Sequence, residues 1–146
     1  KPTLVHIPDR PPQHTEPIGL TPEQRAVIVE GMKGVLTVPG GTATRYLNIP
    51  SERIPGVTIA GKTGTAQRAI YKDGTFVGNA NTAWFICFAP ADKPEIAIAT
   101  AVRSDVPGET FGGGRYAAPI ANAVLKKYFE KKNNAGKVLI PTRAKS

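Results

Sequence analysis

The chain has 146 residues, of which 19 are Lys or Arg and 11 are Asp or Glu, so its formal net charge is +8. This length suits one domain of ordinary size, and the longest apolar run, residues 83–89, is too short to span a bilayer. The only cysteine, Cys87, lies in that run, which excludes an internal disulfide and favours a buried thiol over a nucleophile.

Most of the positive charge lies at the C-terminal end. Residues 126–146 contain seven Lys or Arg and one Glu, a net charge of +6, which leaves +2 for the rest of the chain. A basic end can bind nucleic acid or an anionic membrane surface, but the few aromatics are not interleaved with these cations as base stacking would require. We therefore expect a solvated helix face followed by a basic tail over 135–146, and no nucleic-acid partner.

The first 20 residues contain five prolines and predict an extended Pro-rich segment. His6 and His14 lie in this segment, eight residues apart and without a Cys, Asp or Glu pattern that would complete a metal site. We predict surface histidines and neither a metal nor a cofactor. Because the chain begins at Lys1 without a signal peptide, it is interpreted as a piece of a longer polypeptide, whose membrane anchor would precede Lys1.

Two helices are predicted on either side of the central part of the chain. Thr21, Pro22 and Gln24 form the capping-box pattern of a helix start, apolar residues then recur at helical spacing, and Pro39 ends the helix. This apolar face comprises Ile28, Met32, Val35 and Leu36. A short helical turn is expected within 42–47 and a loop over 48–56. The last helix is predicted over about 116–132, with Pro119 in its first turn.

Three strands are predicted between these helices. The first covers 57 to about 69, the second 82–89 and the third 95–103, with turns at 72–74 and 79–81. The second strand is apolar throughout and is expected to be buried on both faces. The third alternates Ile, Thr or Val with Ala, and its alanine face is expected to receive the last helix.

These elements predict an α+β fold with antiparallel strands and a C-terminal helix packed on the sheet. Three strands and two helices make a thin core for 146 residues. The chain is therefore interpreted as half of a larger layered domain.

The stretch 59–67, Ile-Ala-Gly-Lys-Thr-Gly-Thr-Ala-Gln, is the candidate site. On a strand, Thr63 and Thr65 face one side and Lys62 the other, while Gly64 lets another molecule approach the backbone. A cation, two hydroxyls and open backbone suit a small carboxylate and an extended peptide. The alternative is a solvated lysine on an edge strand, with threonines chosen for β-propensity.

Two other catalytic patterns fit poorly. Residues 56–63 match Gly-x-x-x-x-Gly-Lys-Thr literally, but β-forming residues occupy the would-be phosphate loop and Gly64 follows at once, where a helix should open. The pattern therefore argues against an ATP- or GTP-hydrolysing enzyme, which is kept as a further alternative. A Ser-His-Asp triad fails because both histidines lie in the N-terminal segment, and no serine has a lysine three residues after it.

Five short stretches occur in an order typical of one protein family: 31–35, 41–43, 60–67, 83–85 with 88–90, and 117–119. In this order the stretches resemble the C-terminal half of the transpeptidase domain of class B penicillin-binding proteins. The resemblance runs from about residue 15 to 130 and is greatest to the elongation type, penicillin-binding protein 2. The resemblance assigns 21–134 to that domain and implies a partial β-lactamase/transpeptidase-like fold.

The resemblance implies a serine acyl-transfer enzyme with three motifs, Ser-x-x-Lys, Ser-x-Asn and Lys-Thr-Gly. Only the third is present, at Lys62-Thr63-Gly64. The first two would lie before Lys1, in an upstream part of the same domain, so this chain alone is expected to be inactive. The whole protein is expected to cross-link peptidoglycan stem peptides on the periplasmic or cell-surface side of the bacterial inner membrane.

Site roles follow from the same resemblance. Lys62 would face the missing serine motifs, whichever side simple strand alternation gives it, and would supply positive charge and assist proton movement during acylation. The hydroxyls of Thr63 and Thr65 would bind the terminal carboxylate of a D-alanyl-D-alanine stem peptide or of a β-lactam. The Thr65 N–H would form half of an oxyanion hole, and Gly64 would leave room for the substrate to align along the strand.

Two alternatives stay open beside the transpeptidase. A serine β-lactamase or β-lactam sensor of the same fold shares the Lys-Thr-Gly motif, although the stretches 31–35 and 84–90 favour the transpeptidase. A non-catalytic peptide- or cell-wall-binding module would need only the edge strand. The presence of Ser-x-x-Lys upstream of Lys1 would distinguish an enzyme from such a module.

Overall fold

A three-stranded antiparallel sheet forms the centre of the computed structural model, which describes residues 17–135. The strands are β1 (Ala60–Lys72), β2 (Thr75–Ala89) and β3 (Ile96–Arg103), and they are hydrogen-bonded in that order. Helices α1 (Pro22–Thr37) and α2 (Thr44–Leu47) precede the sheet and α3 (Ala118–Ala135) follows it. The predicted α+β class is confirmed. The predicted boundaries at 20 and 135 stay predictions, because nearly all of segment 1–20 and of tail 135–146 lies outside the described residues.

Helix α1 begins at the predicted capping box. The Thr21 hydroxyl accepts from the Gln24 N–H at 3.2 Å, and the Gln24 side chain accepts from the Thr21 N–H at 2.9 Å. The predicted apolar face is only partly buried, since Leu36 is 5% exposed but Ile28 is 48% exposed. The reason is that α1 joins the core through its last turn, at Val35 and Leu36.

Strands β1 and β2 form a long hairpin around the predicted turn at Asp73-Gly74. Both turn residues have positive φ, 49° and 78°, as a two-residue hairpin turn requires. The turn predicted at 79–81 is wrong, because Asn79 and Asn81 pair with Ala69 and Gln67 inside the hairpin. Backbone pairing that propagates from the Asp-Gly turn overrides the local turn preference of asparagine.

The predicted burial of β2 on both faces is also wrong. Phe85 and Cys87 are 1% and 3% exposed, whereas Trp84 and Ile86 are 43% and 49% exposed. Alternate residues of a strand face opposite sides of the sheet, and the two buried residues belong to the core cluster that includes Leu125 of α3. Within residues 17–135, the opposite face is left largely uncovered at Trp84 and Ile86.

Helix α3 packs on the face of β3 opposite to the predicted one. Ile98 and Val102 pack against the core that contains α3, while the alanines at 97, 99 and 101 are exposed. Burying isoleucine and valine removes more apolar area from water than burying alanine. The small residues that permit close approach lie on the helix side instead, where Ala117, Ala118 and Ala121 are fully buried.

The chain enters α3 through a π-helical turn over Gly113–Ala117, and Pro119 lies in the first turn of α3, as predicted. Part of the basic face of α3 is neutralised, since Lys126 pairs with Glu52 and Lys132 with Glu95. Among the described residues, no helix combines the length and hydropathy needed to cross a membrane.

Candidate active site

The candidate motif lies near the start of β1, on an edge of the sheet. Among the described residues β1 pairs with β2 alone, and Lys62, Thr63 and Thr65 lie opposite Ile86, Phe85 and Ala83. Residues opposite each other share a face, so the two threonines lie on the side of α3 and Lys62 on the other. The alternation expected for a regular strand is present, whereas the expectation that Lys62 faces the upstream serine motifs stays a prediction.

The exposed Lys62 side chain turns back to its own strand. Its Nζ donates to the Thr63 carbonyl oxygen at 2.7 Å, which indicates that this carbonyl faces the unpaired edge. In an antiparallel strand the N–H and C=O of one residue point to the same side, and residues two apart repeat that direction. The Thr65 N–H therefore points to the same edge, within reach of a ligand that lies along β1.

Thr42 joins the site from outside the motif. Its Oγ1 lies 2.6 Å from the Oγ1 of Thr63, a hydrogen bond across 21 residues of sequence. Thr42 and Lys62 also line one open groove between the turn at 38–42 and α1. The sequence stretch 41–43 contributed to the family resemblance, but no local pattern indicated that the Thr42 side chain would reach the motif.

Two glycines at the start of the C-terminal helical segment support this site. A Cβ on Gly113 would lie 2.8 Å from the Gly64 oxygen and 3.0 Å from the Gly64 nitrogen. A Cβ on Gly114 would lie 3.0 Å from the Thr42 carbonyl carbon. The residue whose backbone lies close to the backbone of Gly64 is thus Gly113. The predicted role of Gly64 in leaving room for substrate stays a prediction.

The arrangement suits anion binding at a strand edge. One ammonium, three hydroxyls and outward-facing backbone are all potential hydrogen-bonding groups, and no group of three or more His, Cys, Asp or Glu within 17–135 could hold a metal. Lys62 and Thr63 are in a strand, not at the helix start that a phosphate loop needs, which argues against the nucleotide alternative.

Two potential nucleophiles of the described region, Ser104 and Cys87, lie outside the motif and are not activated. Ser104 is 4% exposed, and its hydroxyl donates to Glu109 and accepts from the Val106 N–H. Burial raises the pKa of Cys87 to about 11, so its thiol stays protonated at neutral pH. Within residues 17–135 the motif therefore contributes binding and charge-stabilising groups, and neither Ser104 nor Cys87 supplies it with an activated nucleophile.

Comparison with known proteins identifies relatives with named functions. The chain is 42% identical over 73 residues to the peptidoglycan D,D-transpeptidase PbpA of Mycobacterium tuberculosis, covering 50% of this chain and 14% of that protein. It is 42% identical over 74 residues to the stage V sporulation protein D of Bacillus subtilis, covering 50% of this chain and 11% of that protein. The chain thus spans a small part of the length of these relatives.

A solved structure and a family profile agree with these relatives. The crystal structure of PBPA from Mycobacterium tuberculosis superposes with a TM-score of 0.51 at 31% identity, covering 77% of this chain and 22% of that one. Residues 3–126 match the family described as the penicillin binding protein transpeptidase domain, which confirms the resemblance to class B penicillin-binding proteins. Because this match extends over most of its length, the chain belongs to the penicillin-binding protein transpeptidase family.

Proposed function

We propose that this chain is the Lys-Thr-Gly part of a peptidoglycan D,D-transpeptidase that acts by serine acyl transfer. The observation that carries the proposal is the edge of β1 that no strand within residues 17–135 covers, where an ammonium, paired threonine hydroxyls and outward-facing backbone lie together. Membership of the family and the transpeptidase PbpA among the relatives support it. The elongation subtype stays a prediction.

The ligand proposed for this edge is the C-terminal D-alanyl-D-alanine of a stem peptide, or a β-lactam in its place. The Thr63 and Thr65 hydroxyls would donate to the terminal carboxylate, since a charged acceptor makes a hydrogen bond about twice as strong as a neutral one. The peptide backbone would lie along β1 as an added strand, which uses the edge that β2 leaves free.

The Thr65 N–H is proposed as one donor of an oxyanion hole. Its direction, inferred from the Lys62 contact with the Thr63 carbonyl, points it toward a carbonyl group held along the edge. Removing one such donor typically costs about 3–4 kcal/mol of transition-state stabilisation. Lys62 would add positive charge and assist proton transfer where the serine becomes acylated.

The acylated serine is proposed to lie in the upstream part of the same domain, because this chain has no Ser-x-x-Lys. In the first step the serine oxygen would bond to the penultimate D-alanine carbonyl, and the terminal D-alanine would leave with the proton. In the second step an amine of a neighbouring stem peptide would attack the acyl carbon and form the cross-link, and the displaced serine oxygen would take up the proton that the amine loses. We place this reaction on the outer face of the bacterial inner membrane, with an anchor outside residues 1–146.

Penicillin acylation, detected by intact mass, tests this function. The whole protein and residues 1–146 alone are each incubated with penicillin. A stoichiometric adduct on the whole protein, absent from residues 1–146 and lost with the serine of its Ser-x-x-Lys motif, would support the proposal. No adduct on the whole protein would favour a binding module, and rapid release of hydrolysed penicillin would favour a β-lactamase.

A further inference from the structure

We propose that Thr42 is a positioning residue that directs the Thr63 hydroxyl toward the substrate carboxylate. The inference rests on the proposed function, since it concerns the carboxylate that Thr63 would bind. Its starting point is the 2.6 Å contact between the two Oγ1 atoms, which neither the Lys-Thr-Gly motif nor the comparisons with relatives assign to any role.

The chemistry of two hydroxyl groups gives this contact a direction once a ligand is bound. Each threonine hydroxyl has one proton to donate and two lone pairs that can accept. When the Thr63 proton is donated to a carboxylate, the contact with Thr42 can persist only if Thr42 donates to Thr63. The resulting chain, from Thr42 to Thr63 to the carboxylate, polarises each successive O–H and strengthens both bonds.

The backbone around Thr42 is held by contacts on both sides. The Ala43 N–H donates to the Val35 oxygen and the Gly41 N–H to the Val38 oxygen, each at 3.0 Å, which ties the turn to the end of α1. From the other side, Gly114 approaches the Thr42 carbonyl so closely that a Cβ would collide with it. A hydroxyl on so constrained a backbone is preorganised for its partner.

This arrangement predicts a specific kind of selectivity. If Thr42 organises Thr63 as a donor, its effect is largest for a ligand with a charged carboxylate and small for one whose carboxyl is a neutral ester. A purely structural role for Thr42 would instead reduce the reaction with both ligands by the same factor. The ratio of the two acylation rates therefore separates positioning from general damage to the turn.

The experiment measures second-order acylation rates of the full-length protein with benzylpenicillin and with its methyl ester. Thr42→Val is expected to lower the benzylpenicillin rate about tenfold and to leave the ester rate nearly unchanged, whereas Thr42→Ser, which keeps the hydroxyl, restores most of the ratio. The matched control is Thr44→Val at the start of α2, which removes the bonds from the Thr44 hydroxyl to the Val38 and Val35 oxygens beside the same turn. It is expected to leave the ratio at its wild-type value.

A double-mutant comparison distinguishes loss of positioning from a folding defect. In a Thr63→Val background, Thr42→Val is expected to have no further effect on the ratio, because the hydroxyl that it directs is absent. An unchanged acid-to-ester ratio in Thr42→Val, or an equal loss in the Thr63→Val background, overturns the inference while the transpeptidase proposal stands. A wild-type protein that penicillin does not acylate overturns both.

Discussion

Gly113 lies against the backbone of Gly64, with the position of a Cβ on Gly113 only 2.8 Å from the Gly64 oxygen and closer still to the Trp84 oxygen. Real Cβ atoms do not approach backbone atoms so closely. The turn that leads into α3 thus sets the distance between that turn and the Lys-Thr-Gly strand. The two glycines that make this contact are 49 residues apart in sequence.

Gly113→Ala is expected to disturb this contact and the site with it. The added methyl group meets backbone rather than a mobile side chain, so β1 or the turn must shift, at a cost of about 1–3 kcal/mol in unfolding free energy. The urea concentration at the midpoint of unfolding and the penicillin acylation rate are both expected to decrease. Gly112→Ala is the matched control, since its φ is −92° and a Cβ there has no neighbour within 4 Å. Equal behaviour of the two variants would contradict the packing argument.

Lys62→Ala in the full-length protein is expected to slow penicillin acylation at least ~100-fold, the range of a lost proton-transfer or charge-stabilising group. The fold should be retained, with unfolding free energy within about 0.5 kcal/mol of wild type, because Lys62 is exposed and the structure records one hydrogen bond for its ammonium. Lys72→Ala, exposed at the other end of β1, serves as the control. Unchanged acylation kinetics in Lys62→Ala would refute the role assigned to this lysine.

The contacts of Glu52 predict a pH dependence of stability. Its Oε2 accepts from the Lys126 Nζ at 2.9 Å and from the buried Asn122 Nδ2 at 3.0 Å. Both hydrogen bonds lower the pKa of Glu52, and the bond from Lys126 has the larger effect. A carboxyl with a lowered folded-state pKa adds stability above its unfolded pKa of about 4.3 and loses it as the pH falls through the folded value.

Comparison of wild type with Glu52→Gln by thermal unfolding tests that dependence. The Tm difference is expected to be largest near pH 7, to start to shrink below about pH 5 and to vanish in more acidic solution. Glu130→Gln, which removes an exposed ion pair with Lys127, should show little difference at any pH. A Glu52→Gln difference that is constant from neutral to acidic pH would contradict the prediction.

The Cys87 thiol is expected to resist alkylation in the folded protein. Burial raises its pKa to about 11, so on the order of one thiol in a thousand is ionised at pH 8, and only the thiolate reacts. Iodoacetamide labelling, followed by mass spectrometry of the peptide that contains Cys87, should be at least ~100-fold slower in buffer than in concentrated urea. Equal rates in the two solvents would show that this face of β2 is open to solvent.

Features encoded by neighbouring residues could be predicted from the sequence. The Thr21 capping box, the Asp73-Gly74 turn and the alternation of β3 all appear in the structure, because each depends on interactions within a few residues. The Lys-Thr-Gly motif was likewise visible, since its spacing on a strand is local. Its assignment to a family needed the order of five stretches along the chain.

The predictions of burial are wrong for β2 and β3 because the two faces of each strand have similar local sequence. Both faces of β2 are apolar and both faces of β3 can be packed, so only the position of α3 decides that Phe85 is buried and Trp84 exposed. The asparagines at 79 and 81 favour a turn locally but pair within the hairpin. The sequence of a strand does not show which of its faces a distant element such as α3 will cover.

The sequence by itself determined the element types, the motif and the family, because these follow from local backbone preferences and from residue order. Only the tertiary structure decided which residues surround the motif. Thr42 reaches Thr63 across 21 residues, and Gly113 lies on Gly64 through the packing of the segment that opens α3. The physical reason is that such contacts depend on how whole elements pack to exclude water, a property of the assembled fold that no short stretch of sequence carries.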